Sequence, residues 1–343
     1  MNASPAVHRS PEWFWQLLGV PEVAEGGTFT KEGTNYIVRG GIPRSEKLHS
    51  ASQAQTSEAF GFKWHKRDTF EGEQGRARMR DWLFERYGKV TQEPWFAEHG
   101  PAPVIVDAGC GAALSAIELF GAALSKIRYV GVDVSTAVEV AAARFGELNY
   151  PGAFLQADLG ALPIAPGTVD LVFSEGVLHH TDSTKNALTS VSRLLKPGGR
   201  ILFYVYRKKG PIREFTDDYV REKMQKLTPE QGWEAMLPLT KLGIALGQLD
   251  TEIDIPEPIS LLDIPAGKIN IQRLFYWHVF KAFYRPDHSV DELNHINFDW
   301  FAPANAHRQT TEEVRAWCDA CGLRVERENV QEAGITIVAR RQG

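Results

Sequence analysis

The chain has 343 residues, of which 43% are hydrophobic and 24% charged, and its formal net charge at pH 7 is -5. This composition is that of a soluble globular protein, long enough for one elaborate domain or for a domain with an added cap. The acidic balance disfavours a nucleic-acid partner, because phosphate binding requires a dense basic face. Three cysteines, no apolar run of about 20 residues and no signal-peptide order predict a cytoplasmic protein without a membrane partner.

The first 75 residues are predicted to form an N-terminal arm that differs in composition from the rest of the chain. Glu12 to Leu18 has the composition of a short aromatic helix, and Asn35 to Arg39 that of a strand. The aromatic segment from Phe60 to His65 has two interpretations. It packs the arm on the main domain, or it forms a lid in which Trp64 covers a bound ligand.

The segment from Val104 to Gly121 predicts a buried strand that runs through a glycine loop into a helix. A helix from Arg76 to Tyr87 is expected just before it. Asp107 lies where the strand ends. Gly109 and Gly111 follow, and glycines in such a turn tolerate positive φ and let a ligand approach the backbone. This arrangement holds nucleotide-like or anionic ligands at the carboxyl edge of a parallel sheet.

Two further predicted strands end in an acid in the same way. Lys126 to Val134 ends at Asp133, which either accepts hydrogen bonds from ribose hydroxyls or caps the helix that follows. Phe154 to Leu162 contains a short strand followed by Asp158. Because the carboxyl ends of parallel strands meet at one edge of a sheet, we expect these two acids to lie close to Asp107.

The next two predicted strands enclose a histidine loop and a helix. Thr168 to Ser174 is apolar enough to be buried on both faces, and it opens onto the loop from Glu175 to His180. Ser183 offers an N-cap for a helix that ends at Lys196 to Gly199. Arg200 to Tyr206 then predicts the fifth strand.

The joint occurrence of these motifs from Val104 to Tyr206 resembles the class I S-adenosylmethionine-dependent methyltransferases of the small-molecule type. One departure is that the glycine loop continues as Ala112 and Ala113 and lacks a third glycine. The resemblance implies a Rossmann-like α/β sandwich, with a mostly parallel seven-stranded sheet and an antiparallel C-terminal edge hairpin. It also implies S-adenosylmethionine as cofactor and methyl transfer to a small-molecule acceptor.

The expected order is an arm or lid over 1–75, the cofactor-binding core over 76–206, an inserted substrate cap over 207–309, and a C-terminal helix and hairpin over 310–343. Thr310 and Glu313 predict a capping box at the start of that last helix. In the cap, Phe215 to Leu227 is predicted to be helical. Lys268 to Arg285 is expected to be a buried packing helix or, alternatively, a helix that lines the substrate pocket.

The resemblance assigns cofactor contacts to residues at the strand ends. It implies that Asp107 lies near the methionine ammonium, that Asp133 binds the ribose hydroxyls, and that Asp158 meets the adenine ring. The amide of Leu159 is expected beside that ring as well. The other expected cofactor-binding residues are Gly109, Gly111, Val134, Glu175 and Trp64.

Methyl transfer from a sulfonium is an in-line displacement, so the main tasks of the protein are alignment and exclusion of water. If the acceptor must lose a proton, His179 and His180 are the candidate bases, with His179 favoured, and the alternative is that neither histidine moves a proton. Of Tyr204 and Tyr206, we expect only one to face the pocket. The remaining candidate substrate residues lie in the predicted cap: Arg273, Tyr276, His295, Asn297, Asp299 and Trp300.

No spacing of histidines, acids or cysteines suggests a metal. Cys318 and Cys321 share the apolar face of their predicted helix and are expected to be core thiols, as is Cys110. Two other functions stay open. A methyltransferase of RNA or protein predicts a basic or open groove, whereas a regulatory protein would bind S-adenosylmethionine without turnover.

Overall fold

One ten-stranded sheet forms the centre of the computed structural model, which describes residues 8–46 and 50–343. Residues 1–7 and 47–49 of the predicted arm lie outside the described residues. The strands in chain order are β1 (Thr28–Lys31), β2 (Thr34–Arg39), β3 (Ile42–Ser45), β4 (Val104–Ala108), β5 (Arg128–Asp133), β6 (Ala153–Gln156), β7 (Val169–Glu175), β8 (Leu195–Tyr206), β9 (Glu252–Ile255), β10 (Gly267–Asn270), β11 (Leu323–Val330) and β12 (Gly334–Arg341). β9 and β10 form a separate two-stranded sheet.

The strand order of the large sheet is β1-β2-β3-β6-β5-β4-β7-β8-β12-β11. β6, β5, β4, β7 and β8 are parallel neighbours, and β12 runs antiparallel between β8 and β11. These seven strands confirm the predicted Rossmann-like α/β sheet with its antiparallel edge hairpin. The parallel strands are buried on both faces, which explains why their sequences are continuous apolar runs.

The N-terminal arm adds three strands to this sheet. β1, β2 and β3 pair antiparallel with one another, and β3 joins β6 in parallel at the register pair of Arg44 and Gln156. Arg44 Nη1 also donates a hydrogen bond of 2.7 Å to Gln156 Oε1. The sequence predicted the central strand of the three, and it missed β1 and β3, which have four residues each. Pro43 weakens the strand signal of β3 further.

Helices cover both faces of the sheet and build the cap. They are α1 (Glu12–Leu18), α2 (Ala51–His65), α3 (Glu73–Tyr87), α4 (Pro94–Ala97), α5 (Leu114–Phe120), α6 (Ala137–Glu147), α7 (Thr184–Ser192), α8 (Pro211–Met224), α9 (Pro229–Gln248), α10 (Ile271–His278), α11 (Val290–Phe301) and α12 (Thr311–Ala320). The capping box predicted for α12 is present, since Thr310 Oγ1 accepts from the Glu313 amide at 3.2 Å and Glu313 Oε2 accepts from the Thr310 amide at 2.8 Å. Within the described part of the chain, no helix combines the length and the apolar character needed to cross a membrane.

The segment inserted between β8 and α12 contains α8 to α11 and the β9–β10 hairpin. Its 20-residue helix α9 was not predicted, although Thr228 and Gln231 form a capping box at its start. The helix expected from Lys268 to Arg285 was predicted too long, because α10 ends at His278. Beyond that point two side chains bind the main chain in place of helical hydrogen bonds. Gln272 Nε2 donates to Ala282 O at 2.8 Å, and Asn297 Oδ1 accepts from the Phe283 amide at 2.9 Å.

Two apolar layers pack on opposite faces of the sheet because alternate residues of each strand point to opposite sides. Val106 and Val130 belong to one layer, and Ile105 and Phe173 to the other. Cys318 is fully buried in the first layer, in the environment expected of a core thiol.

Gly131 in β5 and Gly146 in α6 provide a matched test of this packing. A Cβ at Gly131 would lie 2.8 Å from the Phe154 ring and 3.1 Å from Cys110 Sγ, whereas a Cβ at Gly146 meets nothing within 4 Å. We expect Gly131→Ala to lower the free energy of unfolding by about 1–3 kcal/mol through overpacking. Gly146→Ala should raise it by about 0.5–1 kcal/mol through helix propensity. Urea denaturation measures both, and an unchanged or higher midpoint for Gly131→Ala would contradict this packing.

Candidate active site

A cavity of about 530 Å³ lies at the carboxyl ends of the parallel strands, between the glycine loop, α2, α3 and the inserted cap. We refer to it as the strand-end cavity, and its volume is typical of small-molecule sites. Many of the residues predicted from the sequence line it: Trp64, Gly109, Asp133, Val134, Asp158, Leu159, Glu175, His180, Tyr204, Tyr206, His295 and Asp299. The other predicted residues do not contribute to its wall: Asp107, Gly111, His179, Arg273, Tyr276, Asn297 and Trp300.

The glycine loop adopts the left-handed backbone that its composition predicts. Gly109 has φ of 86° and Gly111 has φ of 50°. A Cβ at Gly109 would overlap the Val177 side chain, and a Cβ at Gly111 would lie 2.9 Å from the Trp64 indole. Ala113, in the stretch where a third glycine is missing, also has a positive φ of 58°. That conformation costs an alanine about 1–2 kcal/mol.

The first two strand-end acids are buried and differ in their partners. Asp107 accepts a hydrogen bond of 2.7 Å from Tyr129 Oη, and no basic side chain of the described residues forms an ion pair with it. Burial raises the pKa of Asp107 to about 7, although the Tyr129 hydrogen bond opposes the shift. Asp133 accepts from the Ser135 amide at 2.8 Å, from Ser135 Oγ at 2.7 Å and from the Gly111 amide at 2.8 Å. Asp133 therefore fixes the glycine loop as well as facing the cavity.

The third acid, Asp158, caps the short turn that follows β6. Its Oδ1 accepts from the Gly160 amide at 2.7 Å, and its side chain lines the cavity beside Leu159. β6, β5 and β4 are neighbours in the sheet, so Asp158, Asp133 and Asp107 lie at the ends of three adjacent strands. This is the arrangement that the strand pattern predicts.

Glu175, at the end of β7, is held by two side chains of α3. Arg86 forms an ion pair with one carboxylate oxygen, and Tyr87 Oη donates to the other. The Arg86 guanidinium lies 4.1 Å from the Trp82 ring and 3.8 Å from the Tyr204 ring. Glu175 thus anchors α3 to the sheet while it lines the cavity. The sequence analysis missed Arg86 and Trp82, although their i, i+4 spacing on a predicted helix places them side by side.

The two histidines occupy different environments. His180 lines the cavity, and its Nδ1 lies 2.6 Å from Asn305 O, so Nδ1 carries the proton and Nε2 keeps a lone pair. Burial lowers the pKa of His180 to about 4. His179 is fully buried behind it, with its ring centroid 3.7 Å from that of Tyr206. The sequence analysis favoured His179 as the candidate base, whereas only His180 faces the cavity.

Both tyrosines of β8 line the cavity, and the expectation that only one would do so was wrong. Residues two positions apart in a strand point to the same face of the sheet. Tyr206 Oη donates a hydrogen bond of 3.3 Å to Asp299, whose other oxygen forms a buried ion pair with Lys63 of α2. Burial opposes the shift, but the charges of Lys63 and Lys281 hold the pKa of Asp299 well below its ordinary value.

Helix α2 also attaches the arm to the cap through hydrogen bonds. Gln55 Nε2 donates to Ala302 O at 2.9 Å, and Gln55 Oε1 accepts from the Ala304 amide at 2.7 Å. About two turns later, Lys63 reaches Asp299 of α11, and its ammonium lies 4.0 Å from the centroid of the Trp64 ring. Arm and cap therefore form one continuous side of the cavity.

Several candidate substrate residues of the cap serve its own packing. Trp300 Nε1 donates to Asp217 at 2.7 Å, and Asn297 Nδ2 donates to Thr240 Oγ1 at 3.1 Å. Arg273 and Tyr276 belong to α10, where Tyr276 is buried and Arg273 Nη2 reaches Tyr284 O at 3.4 Å. None of these four candidate side chains lines the strand-end cavity. His295, by contrast, lines the cavity, and its Nδ1 lies 2.7 Å from Thr69 Oγ1.

Part of the chain is similar to known methyltransferases. Residues 106–203 match a family model described as a methyltransferase domain. The chain is 32% identical over 100 residues to the O-methyltransferase rstn1 of Aspergillus nomiae, which covers 28% of this chain and 44% of that protein. It is also 32% identical over 102 residues to the malonyl-(acyl-carrier protein) O-methyltransferase of Enterobacter lignolyticus, which covers 29% of this chain and 37% of that protein. The alignments thus span less than half the length of these relatives.

A solved structure, the magnesium protoporphyrin IX methyltransferase of Synechocystis with bound S-adenosylmethionine, is 13% identical to this chain. The superposition covers 87% of this chain and 100% of that one, with a TM-score of 0.47.

The environment of His180 predicts an unusual titration. We expect its imidazole to stay neutral through neutral pH and to titrate near pH 4 in NMR spectra of protein with 15N-labelled histidine, assigned with His180→Asn. In the unfolded chain the same group takes up its proton near pH 6.5. The free energy of unfolding that it contributes therefore falls as the pH drops from about 6.5 towards 4. A His180 titration at or above pH 6.5 would contradict the buried, Asn305-bonded imidazole.

Proposed function

We propose that this chain, whose residues 106–203 match a methyltransferase family model, transfers a methyl group from S-adenosylmethionine to a small-molecule acceptor beneath the cap. The family match confirms the resemblance predicted from the strand-end motifs, and that family uses S-adenosylmethionine. The observation that carries the proposal is the strand-end cavity. In it a glycine loop and the acids of adjacent strands meet aromatic side chains of the arm, α3 and the cap.

The residues present fit the cofactor. Asp107 is buried without an ion-pair partner among the described residues, but it does not line the strand-end cavity, so its contact with the methionine ammonium stays a prediction. Asp133 and Asp158 both line the cavity, and we assign Asp133 to the ribose hydroxyls and Asp158, with Leu159, to the adenine ring. Trp64, which packs on Gly111, would cover the bound molecule. When bound, S-adenosylmethionine supplies an electrophilic methyl group.

The side chains of the protein would align the acceptor and exclude water. The aromatic rings of Phe60, Tyr204 and Tyr206 form apolar walls, and the α2–cap contacts cover one side. His180 is neutral at pH 7 and presents Nε2 as a proton acceptor, so we assign it, rather than His179, the role of general base where the acceptor must lose a proton. Asn305 O fixes the tautomer that this role requires.

A small acceptor is favoured over RNA or protein because α2, α3 and the cap enclose the cavity and because the chain is acidic. The deciding experiment has two stages. Calorimetry first measures binding of S-adenosylmethionine and S-adenosylhomocysteine. The protein is then incubated with methyl-labelled cofactor and a metabolite extract, and mass spectrometry identifies labelled products. Binding without any labelled product would support a regulatory protein, and absence of binding would overturn the proposal.

The ribose contact predicts the effect of one substitution. Asp133→Ala should weaken binding of S-adenosylhomocysteine by about 1–3 kcal/mol, because it leaves ligand hydroxyls and the Gly111 amide without an acceptor. Calorimetry measures the change, and Asp319→Ala, at an exposed position of α12, is the control. An unchanged dissociation constant in folded Asp133→Ala protein would count against the contact.

Substitution of the two histidines should have different effects on the rate of methyl transfer. We expect His180→Gln to lower kcat by roughly 10²–10⁴-fold in the labelled-methyl assay, with an unchanged Kd for S-adenosylhomocysteine. His179→Gln should act mainly on stability, because its ring packs on Tyr206 away from the cavity. A full rate in His180→Gln would exclude a proton-transfer role for this side chain.

A further inference from the structure

The part of the strand-end cavity formed by α3 and the cap combines basic groups with flat aromatic rings. Arg78 of α3 lines it together with Arg285 and His288, which belong to the cap segment between α10 and α11. The rings of Trp82 and Phe283 line the same region. None of these residues belongs to the strand-end motifs that are proposed to hold the cofactor.

The three basic side chains converge on one carboxylate. Asp287 Oδ2 accepts from Arg78 Nη1 at 2.7 Å, and Asp287 Oδ1 lies 3.2 Å from Arg285 Nε and 3.1 Å from His288 Nδ1. Asp287 itself is 39% exposed and does not line the cavity. Each guanidinium has five N–H donors. Within residues 8–46 and 50–343, neither the Arg78 nor the Arg285 side chain makes a hydrogen bond other than the one to Asp287.

The other cations of the cavity have partners of their own. Arg86 is paired with Glu175, and Lys63 with Asp299. Glu292 is the cavity-lining acid closest in sequence to His288, and its Oε2 accepts from the Ser289 amide in the capping box of α11. The positive end of that helix already stabilises its charge. The arginines of the cavity lining that keep unused N–H donors are therefore Arg78 and Arg285.

We propose that Arg78 and Arg285 bind the carboxylate of the methyl acceptor and that the acceptor is a planar aromatic acid. This inference rests on the proposed function, since it names the class of acceptor at the same site. A guanidinium fork matches the two oxygens of a carboxylate. Trp82, Phe283 and Tyr204 supply flat apolar surfaces for an aromatic ring.

The contacts with Asp287 also suit a second, purely structural role, in which the same three basic groups only fasten the turn of residues 285–288 to α3. The two roles predict opposite effects of Asp287→Asn on the affinity for the ligand. If the arginines bind a ligand carboxylate, Asp287 competes with it, so Asp287→Asn tightens binding while Arg285→Gln weakens it. If the contact only fastens the turn, both substitutions loosen the cap and both weaken binding.

The test is calorimetric titration with benzoate and 2-naphthoate, each compared with its neutral amide, with and without saturating S-adenosylhomocysteine. We expect an acid to bind at least about tenfold more tightly than its amide, Arg285→Gln to remove about tenfold of that affinity, and Asp287→Asn to increase it. Arg315→Gln and Glu328→Gln are the matched controls, because they break an exposed ion pair, with 2.8 Å between Arg315 Nε and Glu328 Oε2, whose residues do not line the cavity.

Three results would overturn the inference: amides that bind as tightly as acids, no binding of either acid at millimolar concentration, or weaker acid binding in Asp287→Asn. Binding of S-adenosylhomocysteine is measured in the same experiments. If that nucleoside binds and acids show no preference, this inference fails and the proposed function stands. If the nucleoside does not bind, the proposed function fails as well.

Discussion

The hydrogen bond from the Gly111 amide to the Asp133 carboxylate joins the glycine loop to the end of β5, and the rest of the site depends on it. Beside it, the amides of Gly109 and Cys110 donate to Val132 O at 2.7 and 2.8 Å. The loop is therefore fixed to the neighbouring strand before any ligand binds. A hydrogen bond to a buried carboxylate contributes about 1.5–3 kcal/mol. Trp64 then packs on the immobilised loop, so the position of the arm also follows from this contact.

The core of the fold was predictable because its signals are local. Buried parallel strands are short apolar runs, and each ends at a residue that marks the edge of the sheet, such as Asp107, Asp133 or Asp158. The strands of the arm carry weaker signals. β1 and β3 have four residues each, and β3 takes its place through Arg44 and Gln156, which lie 112 positions apart in the chain. Pairings at that distance leave no periodicity in either segment.

The residues of the candidate site were likewise predictable only where their signals are local. The strand-end residues were found because parallel topology alone brings strand ends together. The cap residues were largely misplaced, because the face that each helix turns to the cavity depends on contacts among α8 to α11. Asn294, for example, donates to Trp233 O and accepts from Thr240 in α9. Arg78 and Arg285 were missed for a related reason, since Asp287 brings them together across 207 positions.

The placement of β3 against β6 also determines which sheet edges are open to other chains. In a sheet that began at β6, the unpaired backbone of that strand would be a template for a second molecule. The arm covers it, and the outermost strand on that side is β1, with only four residues. On the far side, β11 carries Arg324, Glu326, Arg327 and Glu328. Short and charged borders of this kind resist strand-to-strand association, so the arm protects the edge of the sheet from aggregation at the same time as it contributes to the site.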